Sequence, residues 1–304
     1  MIEVSDYDFF NYDYSQYWSS RKYEDLAEKH VLENIFSTKS GNWFLDIGGS
    51  YGRLVPTYYK SYTHPVILDY SLKTLQKNYE IIKKRFPNVE LIAANAYHLP
   101  FKDNTYDGGV MVRVLHHISK PDRYLKEASR IMSKDSTYVQ EFANKVNIKA
   151  SCRALLHFDF KFFSQEPYQQ PTAKNFEGTA AGQEALFLNF HPTYVARLLR
   201  KNQFSIIEKF GCSYLRSGFV KKILGEDTMI KLEYILQPLL KNTNISPSTI
   251  FETKLQKSER NGVIQAKNLE EILICPKCLG NLYFTKDTAT CEHCSIKYFK
   301  KDNI

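Results

Sequence analysis

Two groups of residues in this chain have types and spacings that could do chemistry. The first is Asp46-x-Gly48-Gly49-Ser50-x-Gly52, within the stretch WFLDIGGSYGRL. Trp43, Phe44, Leu45 and Ile47 read as a buried strand interrupted by Asp46, and the glycines turn the chain into an apolar-rich segment. Glycines at such a strand end let a ligand approach backbone that any Cβ would block. The spacing is not the Gly-x-Gly-x-x-Gly of dinucleotide sites. An acid inside the strand, just ahead of the turn, suits a ligand with an amino group and no phosphate. The second group is Cys275-x-x-Cys278, twelve residues, then Cys291-x-x-Cys294. Two such knuckles can place four thiolates tetrahedrally around Zn²⁺. Disulfide pairing is the competing reading.

The ligand implied by the first group is S-adenosylmethionine. Its sulfonium is already activated, so the protein's task is to align nucleophile, methyl and sulfur. Asp69, at the tip of a second strand (VILDYS), could grip a ribose diol with two hydrogen bonds or simply cap the next helix. His116, His117 and Glu141 fall at later strand ends, where one could act as a base if the acceptor must lose a proton. His117 is the better histidine, and a structural role with a hydrogen bond to backbone stands beside that reading. Arg113 sits in an apolar strand. A buried arginine needs a carboxylate, so it either binds an acidic acceptor or pairs with a core acid.

The elements that must position these residues follow from periodicity. KYEDLAEKHVLENIF carries Tyr23, Leu26, Ala27, His30, Val31 and Ile35 on one face and reads as an amphipathic helix. SLKTLQKNYEIIKKRF is a second helix, with Ser71 as N-cap and Pro87 as stop. Strands are expected at VELIAANA, GGVMVRVLHHI, TYVQEFANK, FSIIEKF and STIFETKLQ. Helices are expected at PDRYLKEASRIM, from Pro192 to about Asn202, and at TMIKLEYILQPLL. Strands alternating with helices make a mainly parallel, doubly wound α/β sheet, with ligands at the carboxyl ends of its strands.

Taken together, FLDIGGSYG, VILDYS, AANAYHLPF and YDGGVMVRVLHHI resemble class I S-adenosylmethionine-dependent methyltransferases over residues 20–215. The nearest likeness is to the ubiquinone/menaquinone-type small-molecule group. The resemblance implies a Rossmann-like, seven-stranded sheet whose antiparallel last strand, STIFETKLQ, inserts beside the fifth. It implies a cofactor site of Asp46, Gly48, Gly49, Ser50, Gly52, Asp69, Tyr70, Asn95, Ala96 and Arg113. Two positions depart from the family: Ser50 stands for its middle glycine and Asn95 for the acid of its adenine segment, although an Asn oxygen can still accept from an amino group.

Residues 1–22 and 150–192 are aromatic and lack a clean period. They read as a cover over the acceptor pocket, with Tyr17, Trp18, Phe162 and Phe163 near the carboxyl edge of the sheet. Residues 23–255 form the methyltransferase domain, 256–268 a polar linker and 269–304 a small zinc ribbon of the kind found with methyltransferases. That module is too short for its own core, so metal should supply its folding energy. His293 reads as exposed rather than ligating, and Cys152 and Cys212 as buried thiols.

The 304 residues, 43% hydrophobic, suffice for one large domain and a small one. No apolar run is long enough to span a membrane, and the acidic, aromatic N-terminus is unlike a signal peptide, so a cytoplasmic protein without membrane association is expected. The net charge of +8 is uneven: residues 1–37 carry 3 basic and 8 acidic side chains, and residues 196–304 carry 18 and 11. The basic third admits an RNA or protein acceptor docked through the ribbon. Its mostly isolated lysines fit a solvated surface, and a small-molecule acceptor is the leading expectation.

Overall fold

The computed structural model describes residues 17–170, 186–257 and 266–304. Residues 1–16 of the N-terminal cover, 171–185 of the insertion and 258–265 of the linker lie outside the described residues.

The first helix among the described residues is α1 (Lys22–Phe36), whose buried stripe of Tyr23, Ala27, Val31, Leu32, Ile35 and Phe36 repeats at helical spacing. Then come β1 (Gly41–Ile47), a four-residue α2 (Val55–Tyr58), β2 (Tyr62–Asp69), α3 (Leu72–Arg85), β3 (Glu90–Ala93) and β4 (Tyr106–Met111). They are followed by α4 (Pro121–Ile131), β5 (Met132–Ala143), α5 (Ile148–Leu156), α6 (Pro192–Lys201) and β6 (Phe204–Cys212). The domain closes with α7 (Gly218–Leu224), α8 (Glu226–Leu240) and β7 (Ser248–Leu255). The Ser71 hydroxyl accepts from the Thr74 N–H at 3.0 Å, starting α3 where the Ser71 cap was expected.

The seven strands run β3-β2-β1-β4-β5-β7-β6. All pairings are parallel except those of β7, which lies antiparallel between β5 and β6. STIFETKLQ therefore occupies the expected place. Alternation along β1 feeds two core layers: Trp43, Leu45 and Ile47 pack with Tyr124, Leu125 and Leu199, while Phe44 packs with Phe36, Tyr58, Leu75 and Ile82. Asp46 shares the Phe44 face. Strand order reverses between β1 and β4, so a crevice opens above their carboxyl ends.

Three expectations are corrected. The fourth strand ends at Met111, because Arg113 takes φ +62° and Leu115–His117 coil into a 3₁₀ turn. A left-handed residue cannot continue a ladder, so VRVLHH becomes the rim of the crevice. The glycine turn feeds only the short α2. Cys152 is exposed on α5, whereas Cys212 is buried as expected.

Among the described residues no helix is long and apolar enough to cross a membrane. The C-terminal module is a three-stranded antiparallel sheet of β8 (Leu282–Phe284), β9 (Thr288–Cys291) and β10 (Lys297–Phe299). Its entry is stitched to the large domain. The Ile274 N–H donates to Pro100 O and the Lys102 N–H to Ile272 O, both at 2.9 Å. Ile272 is fully buried in the same cluster as Leu99 and Phe101. Apolar Ile272 and Ile274 thus use the LPF segment as a docking strand, and the module is held by packing as well as by its tether. Ile272→Ala should destabilise the large domain by about 2–4 kcal/mol through the cavity it leaves. Urea unfolding followed by tryptophan emission checks this, because both tryptophans, Trp18 and Trp43, lie in the large domain; an unchanged midpoint would show that the two parts unfold independently.

Candidate active site

The crevice holds a cavity that is open to solvent. Its floor is the turn Gly48–Tyr51, its walls include Leu68–Ser71, Ala94 and Ala96, and its rim is Val112–Val114 with His117. Gly48 has φ +75°, and a Cβ there would lie 2.3 Å from Val114 Cγ2. Glycine is thus required by the rim loop as well as by the turn. Ser50, in place of the family's glycine, accepts φ +49°. Its N–H donates to Asp69 Oδ2 at 2.9 Å, and the Ser71 N–H donates to Oδ1 at 2.9 Å. The Asp69 carboxylate is thereby held in place at the tip of β2.

Of the expected cofactor residues, the fold brings Gly48, Gly49, Ser50, Asp69, Tyr70, Ala96 and Arg113 to the cavity. Asp46, Gly52 and Asn95 are not in its lining. The Asp46 carboxylate is buried under the turn, accepts from Tyr58 OH at 2.8 Å, and would be 2.8 Å from a Cβ on Gly49. Burial pushes its pKa up to about 7, against the lowering effect of the Tyr58 hydrogen bond. Asn95 Oδ1 accepts from the Tyr97 N–H at 2.9 Å, which shapes the third-strand loop and leaves Ala94 and Ala96 as the wall.

Charge at the rim is organised by Glu28 of α1, fully buried. One of its oxygens accepts from Arg53 Nη2 at 2.7 Å and the other from Arg113 Nε at 2.6 Å; Arg53 also donates to Asp25 at 2.7 Å. Burial raises the Glu28 pKa, but Arg113 and Arg53 outweigh it and hold the carboxyl below its usual range. Arg113 thus pairs with a core acid, the second of its two readings. The Trp18 ring lies over Arg53, 3.7 Å from the guanidinium carbon to the ring centroid. Trp18 lines the cavity, and its buried indole N–H has no partner among the described residues. Arg53 also lines the cavity and went unnoticed in the sequence, although a cation directly after the glycine turn was a usable signal.

The candidate bases separate. Glu141 is buried, accepts from the Arg113 N–H at 2.7 Å and from the Ser248 hydroxyl, and stabilises the left-handed bend at Arg113. It does not line the cavity. Burial raises its pKa. His116 is also outside the lining, stacked on Phe187 at 4.2 Å, and burial lowers its pKa strongly. His117 does reach the cavity. Its Nδ1 lies 2.9 Å from Leu186 O, an acceptor only, so Nδ1 carries the proton and the ring lone pair belongs to Nε2. Burial brings its pKa down to about 4.

On the cover, Trp18 stands in the cavity wall, and Lys145, just beyond β5, donates to Ser164 O at 2.9 Å and Glu166 O at 2.7 Å. Phe162 and Phe163 therefore sit at the carboxyl end of β5.

In the C-terminal module the sulfurs of Cys275, Cys278, Cys291 and Cys294 all lie within 4.8 Å of one another, with Cys275–Cys294 at 3.6 Å and Cys278–Cys291 at 3.4 Å. A tetrahedron with S–Zn of about 2.3 Å has edges of about 3.8 Å. Leu279 and Ser295, each following the second cysteine of its knuckle, have φ +60° and +58°. Gly280 follows, and a Cβ there would lie 3.3 Å from the Cys278 and Cys291 sulfurs.

The strand order with a glycine turn and acid at the switch point defines a Rossmann-like methyltransferase fold. Residues 45–139 match the family described as a methyltransferase domain. The chain is 26% identical over 205 residues to an uncharacterized protein of Methanocaldococcus jannaschii, covering 66% of this chain and 76% of that one. It is 27% identical over 119 residues to a demethylmenaquinone methyltransferase of Paenarthrobacter aurescens, covering 39% of this chain and 46% of that enzyme. In fold it is similar to a chain from the complex of the Haloferax volcanii Trm112 methyltransferase activator with its proposed methyltransferase, with TM-score 0.55 and 11% identity, covering 84% and 99% of the two chains.

The depressed His117 pKa has a direct consequence. The unfolded chain takes up this proton near pH 6.5 and the folded one near 4, so the group's stabilising effect is complete above pH 6.5 and is lost as pH falls toward 4. NMR should show the His117 ring untitrated from pH 8 to about 5. A midpoint near 6.5 would mean that the ring is solvated and the site more open.

Proposed function

We propose that this protein transfers a methyl group from S-adenosylmethionine to a small organic acceptor, which binds between Trp18 and the described part of the 150–192 cover. One observation carries the reading: Asp69, the Ser50 turn and Trp18 line one cavity whose cations are already neutralised. Arg53 and Arg113 are both committed to carboxylates, which disfavours a phosphate-bearing ligand. Asp69 suits a ribose diol, and the Ala94, Ala96 and Leu68 wall suits an adenine face. The relation to a demethylmenaquinone methyltransferase supports a small acceptor. A ribbon without arginine weakens the case for RNA.

When bound, the sulfonium supplies an activated methyl for in-line displacement by the acceptor. The chain's residues then have three tasks. Asp69 and the turn backbone hold the ligand, Trp18 and the cover exclude water, and neutral His117 accepts at Nε2 the proton that an N–H or O–H acceptor releases. Arg113 and Glu28 keep the rim in place. Cys275, Cys278, Cys291 and Cys294 would hold Zn²⁺ as a closed four-sulfur site, which leaves no position for an activated water and makes the metal structural.

Asp69→Ala should weaken S-adenosylmethionine binding by about 1.5–3 kcal/mol, read by titration calorimetry, because two hydrogen bonds to a charged acceptor vanish. Unchanged affinity would remove Asp69 from the site; no binding by the unaltered protein would remove the proposal. Metal analysis should return one zinc per chain, and Cys278→Ser should lower it and increase protease cleavage within residues 275–304. Metal-free protein with disulfide-bonded cysteines would end the zinc assignment.

A further inference from the structure

Helix α5 is amphipathic, but its apolar side faces outward. Ile148, Cys152, Leu155 and Leu156 share one face of the helix, and Ala154, on the opposite side, is its buried residue. Ile148, Leu155 and Leu156 are 55%, 53% and 79% exposed, and the turn that follows adds Phe158 at 79% and Phe160 at 67%. A helix that exists to cover a core would bury that stripe. Lys149 and Arg153, four residues apart, run along one flank of the stripe, and Lys161 follows the turn; all three are exposed, against one exposed acid, Asp159.

We propose that α5 and the Phe158–Lys161 turn form a membrane-surface docking site that binds a bilayer carrying anionic lipids. Exposed aliphatic and aromatic side chains enter the acyl boundary, while long cationic side chains on the flank reach the headgroups. The patch lies flat on the bilayer, and nothing in it spans. Charge separates this occupant from a second copy of the chain. A two-fold contact through the stripe would bring Lys149, Arg153 and Lys161 toward their own symmetry mates, whereas an anionic surface attracts all three. The patch belongs to the same segment as the cover: Lys145 fixes residues 164–166, and Tyr168–Gln169 pairs with Leu188–Asn189, two residues from the carbonyl that holds His117. The inference rests on this surface alone and stands or falls without the methyl-transfer reading.

The test is sedimentation of the full-length protein with large unilamellar vesicles of phosphatidylcholine, alone or with one-third phosphatidylglycerol. The protein should pellet with the anionic vesicles, and less so at high salt, where charge attraction is screened. Leu156→Ser/Phe158→Ser/Phe160→Ser should weaken pelleting by roughly tenfold or more through lost apolar insertion. Lys149→Glu/Arg153→Glu should remove the preference for anionic vesicles. All five positions are exposed, and an unchanged melting temperature verifies folding. Protein that stays in the supernatant with both vesicles, that pellets equally with both, or whose triple variant pellets like the parent overturns the proposal. So does a dimer, seen by sedimentation velocity, that the triple variant abolishes, since the stripe would then belong to a second copy.

Discussion

The structure around the cavity depends on one buried carboxylate. Glu28 has no solvent of its own and is stable as an anion only because Arg53 and Arg113 meet it from opposite directions. The two arginines come from different places in the fold, one after the glycine turn of β1 and the other beyond β4. Their meeting at α1 fixes the helix across the switch point and sets the width of the crevice. Taking one partner from such a group typically costs about 3–5 kcal/mol, because a buried charge is left uncompensated. The left-handed bend at Arg113 is supported in turn by Glu141, whose carboxylate receives the Arg113 N–H. Two acids that the fold places near the reaction centre therefore build its frame.

The same economy governs the glycine turn. Asp46 does not reach toward a ligand; it lies beneath the turn, hydrogen-bonded to Tyr58, and limits residue 49 to glycine. Its alternation with Leu45 and Ile47 along β1 sends it to the other face of the sheet, away from the cavity. The groups that line the cavity stand at the strand tips: the Ser50 turn, Asp69 and Ala96. His117 is in the cavity because the rim coils into a 3₁₀ turn after Arg113, and that turn points its neighbour His116 at Phe187 instead.

The C-terminal module and helix α5 show how little a chain segment says about what it touches. Ile272 and Ile274 look like the start of a separate ribbon, yet Ile272 completes a core cluster beside Leu99 and Phe101 and the Ile274 N–H donates to Pro100 O. α8 repeats the inversion of α5: Glu233 and Gln237 are buried, Glu233 accepting from Tyr23 OH and from the Ser213 N–H, while Ile235 and Leu239 are exposed. In α8 polar groups face inward because the neighbouring elements present backbone and hydroxyl groups that need partners.

The place of the inserted antiparallel strand was implied by the family resemblance; by itself the sequence determined the layered α/β sheet, the glycine turn with Asp69, and the four-cysteine cluster. These depend on periodicity, turn chemistry and short-range spacing, which are local properties of the chain. Tertiary structure decided the rest. Arg113 binds Glu28, 85 residues away, and no local signal announces that pairing. Asp46, Asn95 and Glu141 have the residue types of ligand-binding groups, but side-chain direction and neighbouring donors turned them to backbone and core. Residues 150–192 show no clean period in the sequence, so neither helix α5 nor the direction of its apolar face was legible there. That direction follows from which surfaces remain uncovered once β5, the cover and the loop before β7 have packed, a property of the whole fold.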